Sequence, residues 1–281
     1  MFEVPVSAGV LVGWRTGDGP PVLLLHGGPV GYEYLDFIAP EFLPGYEVAA
    51  YQQRGISPST GSGPFDMETE AADTAAVLDA IGWDAAYVVG HSLGGYYALQ
   101  FARRNAARVR GALIVDPLGA VGDGGTEEFW QTQLSRLTPE GRRRADELEA
   151  REQAATITPE EEEEFARLIW PTYFADVHRT FDFLLRTNGE THQQIFDEVF
   201  DDMPNLAGAL PSCSVRMRFI HGDASPMPVS ASADTVALLP NAELEVLAGA
   251  GHFVWYERPG SVRAAFDRLV AETQSGDPIT S

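Results

Sequence analysis

A chain of 281 residues can bury the core of one α/β domain with an insertion, and its 44% hydrophobic content is that of a globular protein. Its formal net charge of −22, with arginine as every one of its 19 basic residues, opposes phosphate backbones and anionic headgroups, so neither nucleic acid nor membrane is expected as a partner. No apolar run nears the roughly 20 residues that cross a bilayer. No basic-then-apolar leader opens the chain, and a lone Cys213 excludes an internal disulfide or a multi-cysteine metal site, so a cytoplasmic location is expected.

In chain order, Val10 to Arg15 alternates as an early strand and is broken by Asp18-Gly19-Pro20-Pro21. Val22 to Leu25 is uniformly apolar, as a parallel strand buried on both faces is, and runs into His26-Gly27-Gly28-Pro29. Tyr46 to Tyr51 repeats the pattern and ends in Gln52-Gln53-Arg54-Gly55. Helical spacing from Asp66 to Ile81 stops at Gly82, which suits a C-terminal cap. The strand Ala85 to Val89 then leads through Gly90-His91-Ser92-Leu93-Gly94-Gly95 into the helix-compatible run Tyr96 to Ala102. A strand that turns this sharply into a helix holds its serine in a strained conformation, and Gly90 and Gly94 remove the β-carbons that would clash as the two elements approach. Ser92 is therefore the candidate nucleophile. Arg110 to Val115 is the next strand and ends in Asp116-Pro117.

From Val121 to Asn205 no strand pattern recurs; helical blocks stand at Phe129 to Leu137, Glu140 to Ala155, Pro159 to Trp170 and His192 to Phe200. Thr158 reads as an N-cap with Pro159 at the first helical position, and Glu160 to Glu164 as solvated first turns. An acidic grip on a substrate amine is the alternative reading of those glutamates. Trp130, Trp170, Tyr173, Phe174, Phe181 and Phe183 are candidates to line a pocket. The sheet resumes at Val215 to Ile220, followed by His221-Gly222-Asp223-Ala224-Ser225; a helix spans Ser230 to Leu239 and a final strand Ala242 to Leu247. Gly251-His252-Phe253 precedes a last helix from Pro259 to about Thr273, after which a short disordered tail is expected.

Strands alternating with helices imply right-handed crossovers and a mostly parallel sheet covered on both faces, with the chemistry beyond the strands' carboxyl ends. The expected division is a core of residues 1–120 and 206–281 with a helical cap at 121–205.

His26-Gly27-Gly28-Pro29, Gln53-Arg54-Gly55, the elbow around Ser92 and Gly251-His252-Phe253, in that order, resemble the α/β-hydrolase superfamily over nearly the whole chain. Within it, His-Gly-Gly-Pro with Gln-Arg-Gly looks like the proline iminopeptidase branch. The Gly-His-Ser-Leu-Gly elbow is more similar to that of esterases and lipases. The resemblance implies an α/β-hydrolase fold with a helical cap inserted after the sixth strand.

A serine hydroxyl needs a base within hydrogen-bond reach to attack at neutral pH, and the resemblance gives that role to His252. His26 and Arg54 are expected to brace the loop after the early central strand, and His91 to flank the elbow with its side chain directed away from the pocket. His178, His192 and His221 read as structural or exposed. For the carboxylate that orients the base, most relatives use the Asp of a Gly-x-x-Asp after the strand that here ends at Gly222, but Ser225 stands there. Asp116, at the end of the strand about 5 Å from the elbow strand, and Asp223 are the two candidates. The backbone N–H of Leu93 opens the elbow helix and is one expected oxyanion donor; the resemblance assigns the other to Gly28. These residues point to a serine hydrolase acting on a small apolar ester, lactone or amide through an acyl-enzyme, with no metal or cofactor. An iminopeptidase is the alternative, and would need carboxylates such as Glu190 or Asp197 to meet a free amine. A C–C hydrolase or perhydrolase would use the same triad, and a non-hydrolytic ligand-binding protein is the alternative of another class. The sequence carries no signal of oligomeric state.

Overall fold

Among the described residues, eight strands form one sheet: β1 (Phe2–Val6), β2 (Gly9–Gly17), β3 (Pro21–Leu25), β4 (Glu47–Tyr51), β5 (Ala86–His91), β6 (Val109–Val115), β7 (Met217–Gly222) and β8 (Ala242–Leu247). The computed structural model describes residues 1–28, 32–154, 156–178, 180 and 189–275, with the backbone alone at 32, 33, 189, 190 and 192. The strand order is β1-β2-β4-β3-β5-β6-β7-β8, parallel from β4 to β8 and antiparallel at β1 and β2. This is the α/β-hydrolase fold that the motifs implied.

The period of two along each strand divides the core. Val22 and Leu24 pack with Val48, Val89 and Val115 on one face, while Leu23 and Leu25 pack with Ala49, Val88 and Ile114 on the other. Helices α1 (Met67–Ala80) and α2 (Leu93–Arg104) cover the second face. Asp66 caps α1 by accepting from the Thr69 N–H at 2.7 Å, and Gly82 follows at φ 78°.

Between β6 and β7 the described residues contain helices α3 (Thr126–Ser135), α4 (Pro139–Gln153), α5 (Pro159–Ile169) and α6 (Gly189–Ala209), and no strand. Thr158 and Glu161 close a reciprocal capping box at the start of α5. Helices α7 (Val229–Val236), α8 (Val254–Glu257) and α9 (Ser261–Ser275) complete the chain; residues 276–281, expected as a tail, lie outside the described ones.

Three departures from the sequence reading have physical reasons. The strand β1 carries Pro5 and did not read as a strand, but it lies at the edge of the sheet, where a missing N–H costs little. Helix α6 runs nine residues past Phe200, through Pro204, because Met203 and Leu206 are buried in the main core and tertiary packing overrides the local penalty of proline. The four-residue α8 is too short to leave a periodic signal.

Candidate active site

The chain leaves β3 for β4 on one side and returns to β5 on the other. In a sheet with such a reversal, ligands sit in the crevice at the carboxyl ends of the two diverging strands. Here those ends carry His26-Gly27-Gly28 and Ser92. Ser92 adopts φ 56° and ψ −124°, a strained conformation for a residue with a side chain. The close approach that allows it explains the glycines. A β-carbon on Gly90 would stand 2.2 Å from the Gly94 carbonyl oxygen, and one on Gly94 would stand 2.2 Å from that of Leu25.

His252 is fixed by its backbone. Its N–H donates to the Tyr173 carbonyl at 2.8 Å, its carbonyl accepts from His91 Nε2 at 3.0 Å, and the neighbouring Gly251 N–H donates to Glu257 at 2.6 Å. Its side-chain Nδ1 donates to Asp116 Oδ1 at 2.6 Å. Asp116 is fully buried, and its Oδ1 also accepts from the Ser225 hydroxyl at 2.6 Å, while Oδ2 accepts from the Gly222 N–H at 2.9 Å. Burial alone would raise this carboxyl's pKa, but the His221 and His252 rings and the His252 and Ser225 hydrogen bonds outweigh it and hold the group below its ordinary value. Asp223 is exposed and its Oδ1 accepts from the Gly249 N–H at 2.6 Å, away from His252. The residue at the Gly-x-x-Asp position, Ser225, thus bonds to the carboxylate at the end of β6.

A cavity of about 800 Å³ opens over these groups, and Gly28, Ser92, Leu93 and His252 all line it. The Gly27 N–H is taken by the Tyr34 hydroxyl. That hydroxyl is 3.0 Å from His91 Nδ1. Since His91 Nε2 donates to a carbonyl, Nδ1 accepts from Tyr34, and the ring is neutral, its pKa driven well down by burial and by His252. His91 was expected to face away from the pocket; it lines the cavity and ties the elbow to the His252 loop.

His26 is also a neutral brace. Its Nδ1 donates to the Gly27 carbonyl at 3.0 Å, Nε2 accepts from the Gln53 N–H at 3.1 Å, and burial lowers its pKa to about 4. Gln52 Nε2, 3.0 Å from the ring, and Gln53 Nε2, 2.9 Å from the His26 carbonyl, complete the contact. Arg54, expected to share this work, turns instead toward α1. It makes a bidentate ion pair with Asp73 at 2.8 and 2.6 Å and donates to the Ser7 carbonyl, because a buried guanidinium needs a matching carboxylate. His221 is buried, bonded to Ser232 and to the Met227 carbonyl at 2.8 Å each. His178 is exposed, and the side chain of His192 lies outside the described residues.

The helices between β6 and β7 supply the outer wall. Trp130 and Tyr173 line the cavity, whereas Trp170 and Phe174 pack beneath it against Phe253, at ring distances of 5.0 and 5.4 Å; Phe181 and Phe183 lie outside the described residues. Of the two carboxylates expected to meet an amine, Asp197 lines a separate small pocket, and the Glu190 side chain lies outside the described residues. The carboxylates on the cavity are Glu149, Glu152, Glu162 and Glu163, from α4 and α5. The sequence reading weighed Glu162 and Glu163 within an acidic run and missed Glu149 and Glu152. Their only sequence signal is that they stand three apart on the same face of α4.

Residues 22–265 match the family model described as "Alpha/beta hydrolase family", and the chain belongs to that family. It is 38% identical over 114 residues to a non-heme chloroperoxidase of Streptomyces lividans, covering 38% of this chain and 40% of that protein. The first curated relatives are thus matched over well under half of their length. A 2-hydroxymuconate semialdehyde hydrolase of Pseudomonas putida is 27% identical over 94% of this chain and 93% of its own. Among solved structures, an esterase from Thermogutta terrifontis superposes with a TM-score of 0.72 at 21% identity, covering 97% of this chain and 98% of that one. A proline iminopeptidase from Mycobacterium smegmatis gives 0.71 at 21% identity, covering 98% and 99%. The two scores are equal in effect, so the fold does not choose between these activities.

Proposed function

We propose that this chain is a serine hydrolase that cleaves a small ester, lactone or amide through an acyl-enzyme. The observation that carries the reading is that His252, bonded at 2.6 Å to the buried Asp116, borders the same cavity as the strained Ser92. In this mechanism Ser92 attacks the substrate carbonyl while His252 takes its proton. His252 then protonates the leaving group, and water releases the acid by the reverse sequence. Asp116 fixes the imidazole tautomer with Nδ1 protonated and stabilises the imidazolium. The oxyanion is met by the N–H groups of Leu93 and Gly28; the Gly27 N–H, held by Tyr34, is engaged elsewhere. The helices of 121–205 act as the cap that excludes water. Phe129, Trp130, Phe165 and Phe196 on the wall favour an apolar substrate body.

One observation favours a second reading, an aminopeptidase that takes a free amine. Glu149, Glu152, Glu162 and Glu163 gather on the cavity; burial first and then like charges, Asp146 for Glu149 and Glu162 and Glu149 for Glu152, raise the pKa of Glu149 and Glu152, and a cation would relieve that repulsion. The test compares turnover of p-nitrophenyl butyrate and proline p-nitroanilide, with Ser92→Ala as the blank and a fluorophosphonate probe to label the serine. Labelling of wild type alone together with ester turnover supports the main reading. Dominant anilide turnover selects the second, and no labelling of Ser92 overturns both.

A further inference from the structure

Gln133 is a buried amide that nothing in the hydrolytic machinery uses. It sits on α3 one turn beyond Phe129, is 1% exposed, and lines the cavity that Ser92 and His252 share. Phe129 and Tyr173 flank His252, with ring centroids 5.6 and 5.5 Å from the imidazole, and the Gln133 amide lies against the Tyr173 phenol. Nε2 has no hydrogen-bond partner among the described residues. Leaving a buried donor unmet is costly, and native interiors rarely tolerate it. The cavity wall is largely aromatic and aliphatic, and none of its polar groups among the described residues, Glu149 and Glu152 included, is bonded to Nε2, so an acceptor can come from what enters.

The position relative to His252 says which part of the substrate that is. The imidazole hands its proton to the leaving group, so the wall beside it faces the leaving group rather than the acyl chain. Resting on the serine hydrolase reading, we infer that Gln133 is a specificity-determining binding residue. Its Nε2 donates to a carbonyl oxygen carried by the alcohol portion of the ester, so the preferred substrates are esters of oxo-alcohols rather than of plain alkanols. A site built around such a bond discriminates strongly against an analogue lacking the acceptor, because the amide is then left buried and unpaired.

The test uses butyrate esters in matched pairs that differ only by a ketone oxygen in place of a methyl group. These are 2-oxopropyl against 2-methylpropyl, and 4-oxopentyl against 4-methylpentyl, followed by acid release in a pH-stat. For at least one pair, the ratio of kcat/KM should favour the oxo ester in wild type and fall about tenfold or more in Gln133→Met, with the alkyl ester little changed. Gln133→Leu serves as a second variant should the first fold poorly. Ratios equal in wild type and variants, with Ser92 still labelled by fluorophosphonate, overturn the inference and leave the hydrolase reading standing; they would mean that water alone meets the amide. Failure of Ser92 to label overturns the reading itself and the inference with it.

Discussion

The carboxyl ends of the strands and the helices that stand over them are built on opposite principles. Beneath the cavity, His26, His91, Asp116, His221 and His252 are all at most 3% exposed, and each has its ring or carboxylate hydrogen-bonded. Above it, among the described residues, α3, α4 and α5 share a small buried cluster of Leu134, Ala145 and Ile169, with the half-buried Trp130, Leu137, Phe165, Leu168 and Tyr173 packed against it. Exposed ion pairs knit them, such as Arg144 with Glu147, Glu161 and Glu164. Helix α6 belongs with the lower region: the Tyr96 hydroxyl donates to the Val199 carbonyl at 3.2 Å, and Gln100 bonds Asp202. A buried, hydrogen-bonded network holds geometry to fractions of an ångström, which chemistry needs. A weakly cored, charged wall can change its lining at little cost to the fold, and selectivity needs that freedom.

From this contrast, the largest losses follow from changes below the cavity. Ser92→Ala and His252→Ala should each lower kcat by about 10⁴-fold or more with the circular dichroism spectrum unchanged, and substantial residual turnover would reassign the nucleophile or base. Asp116→Asn should cost about 10³- to 10⁴-fold, whereas Asp223→Asn should stay within about threefold. Because the Ser225 hydroxyl stands 3.5 Å from His252 Nδ1, a carboxylate at 225 can reach the imidazole. The double variant Asp116→Asn/Ser225→Asp should therefore recover at least about tenfold over Asp116→Asn, and the absence of any recovery would show that the β6 position is indispensable.

Hydrogen exchange followed by mass spectrometry sharpens the comparison without chemistry. Peptides from α4 and α5 should exchange well ahead of those from β5, α2 and the second half of α6. Equal protection would erase the distinction between the two regions.

A smaller effect concerns stability within the core. Glu70 is buried with Oε1 unpartnered among the described residues, and burial together with Asp73 and Asp66, partly offset by Arg54, raises its pKa to about 8. The unfolded chain ionises this group near its ordinary value, the native one only near 8, so native stability falls as pH rises through that window. Glu70→Gln should leave Tm unchanged near pH 4.5 and raise it increasingly toward pH 8, where the relieved penalty is on the order of a few kcal/mol. A Tm difference independent of pH would mean that Glu70 ionises normally in the fold.

The sheet and the elbow were legible in the sequence because each rests on a local rule, whereas His252 was singled out only through the resemblance to a family. Uniformly apolar runs make buried parallel strands, and glycines permit a strained serine. Asp116 could be singled out there as one of two acids, since it ends the strand beside the elbow. Choosing its hydrogen-bond partner required the tertiary structure, which turns Asp223 toward Gly249 and brings Ser225 against Asp116 across 109 residues of chain. The same holds for Arg54, which pairs with Asp73 rather than bracing the His26 loop, and for Gln133 and Glu149, whose place on the cavity depends on how helices pack. Backbone conformation and hydrophobic period act over a few residues and can be read along a line. Which polar groups meet in the buried interior depends on the distances between elements that packing alone sets.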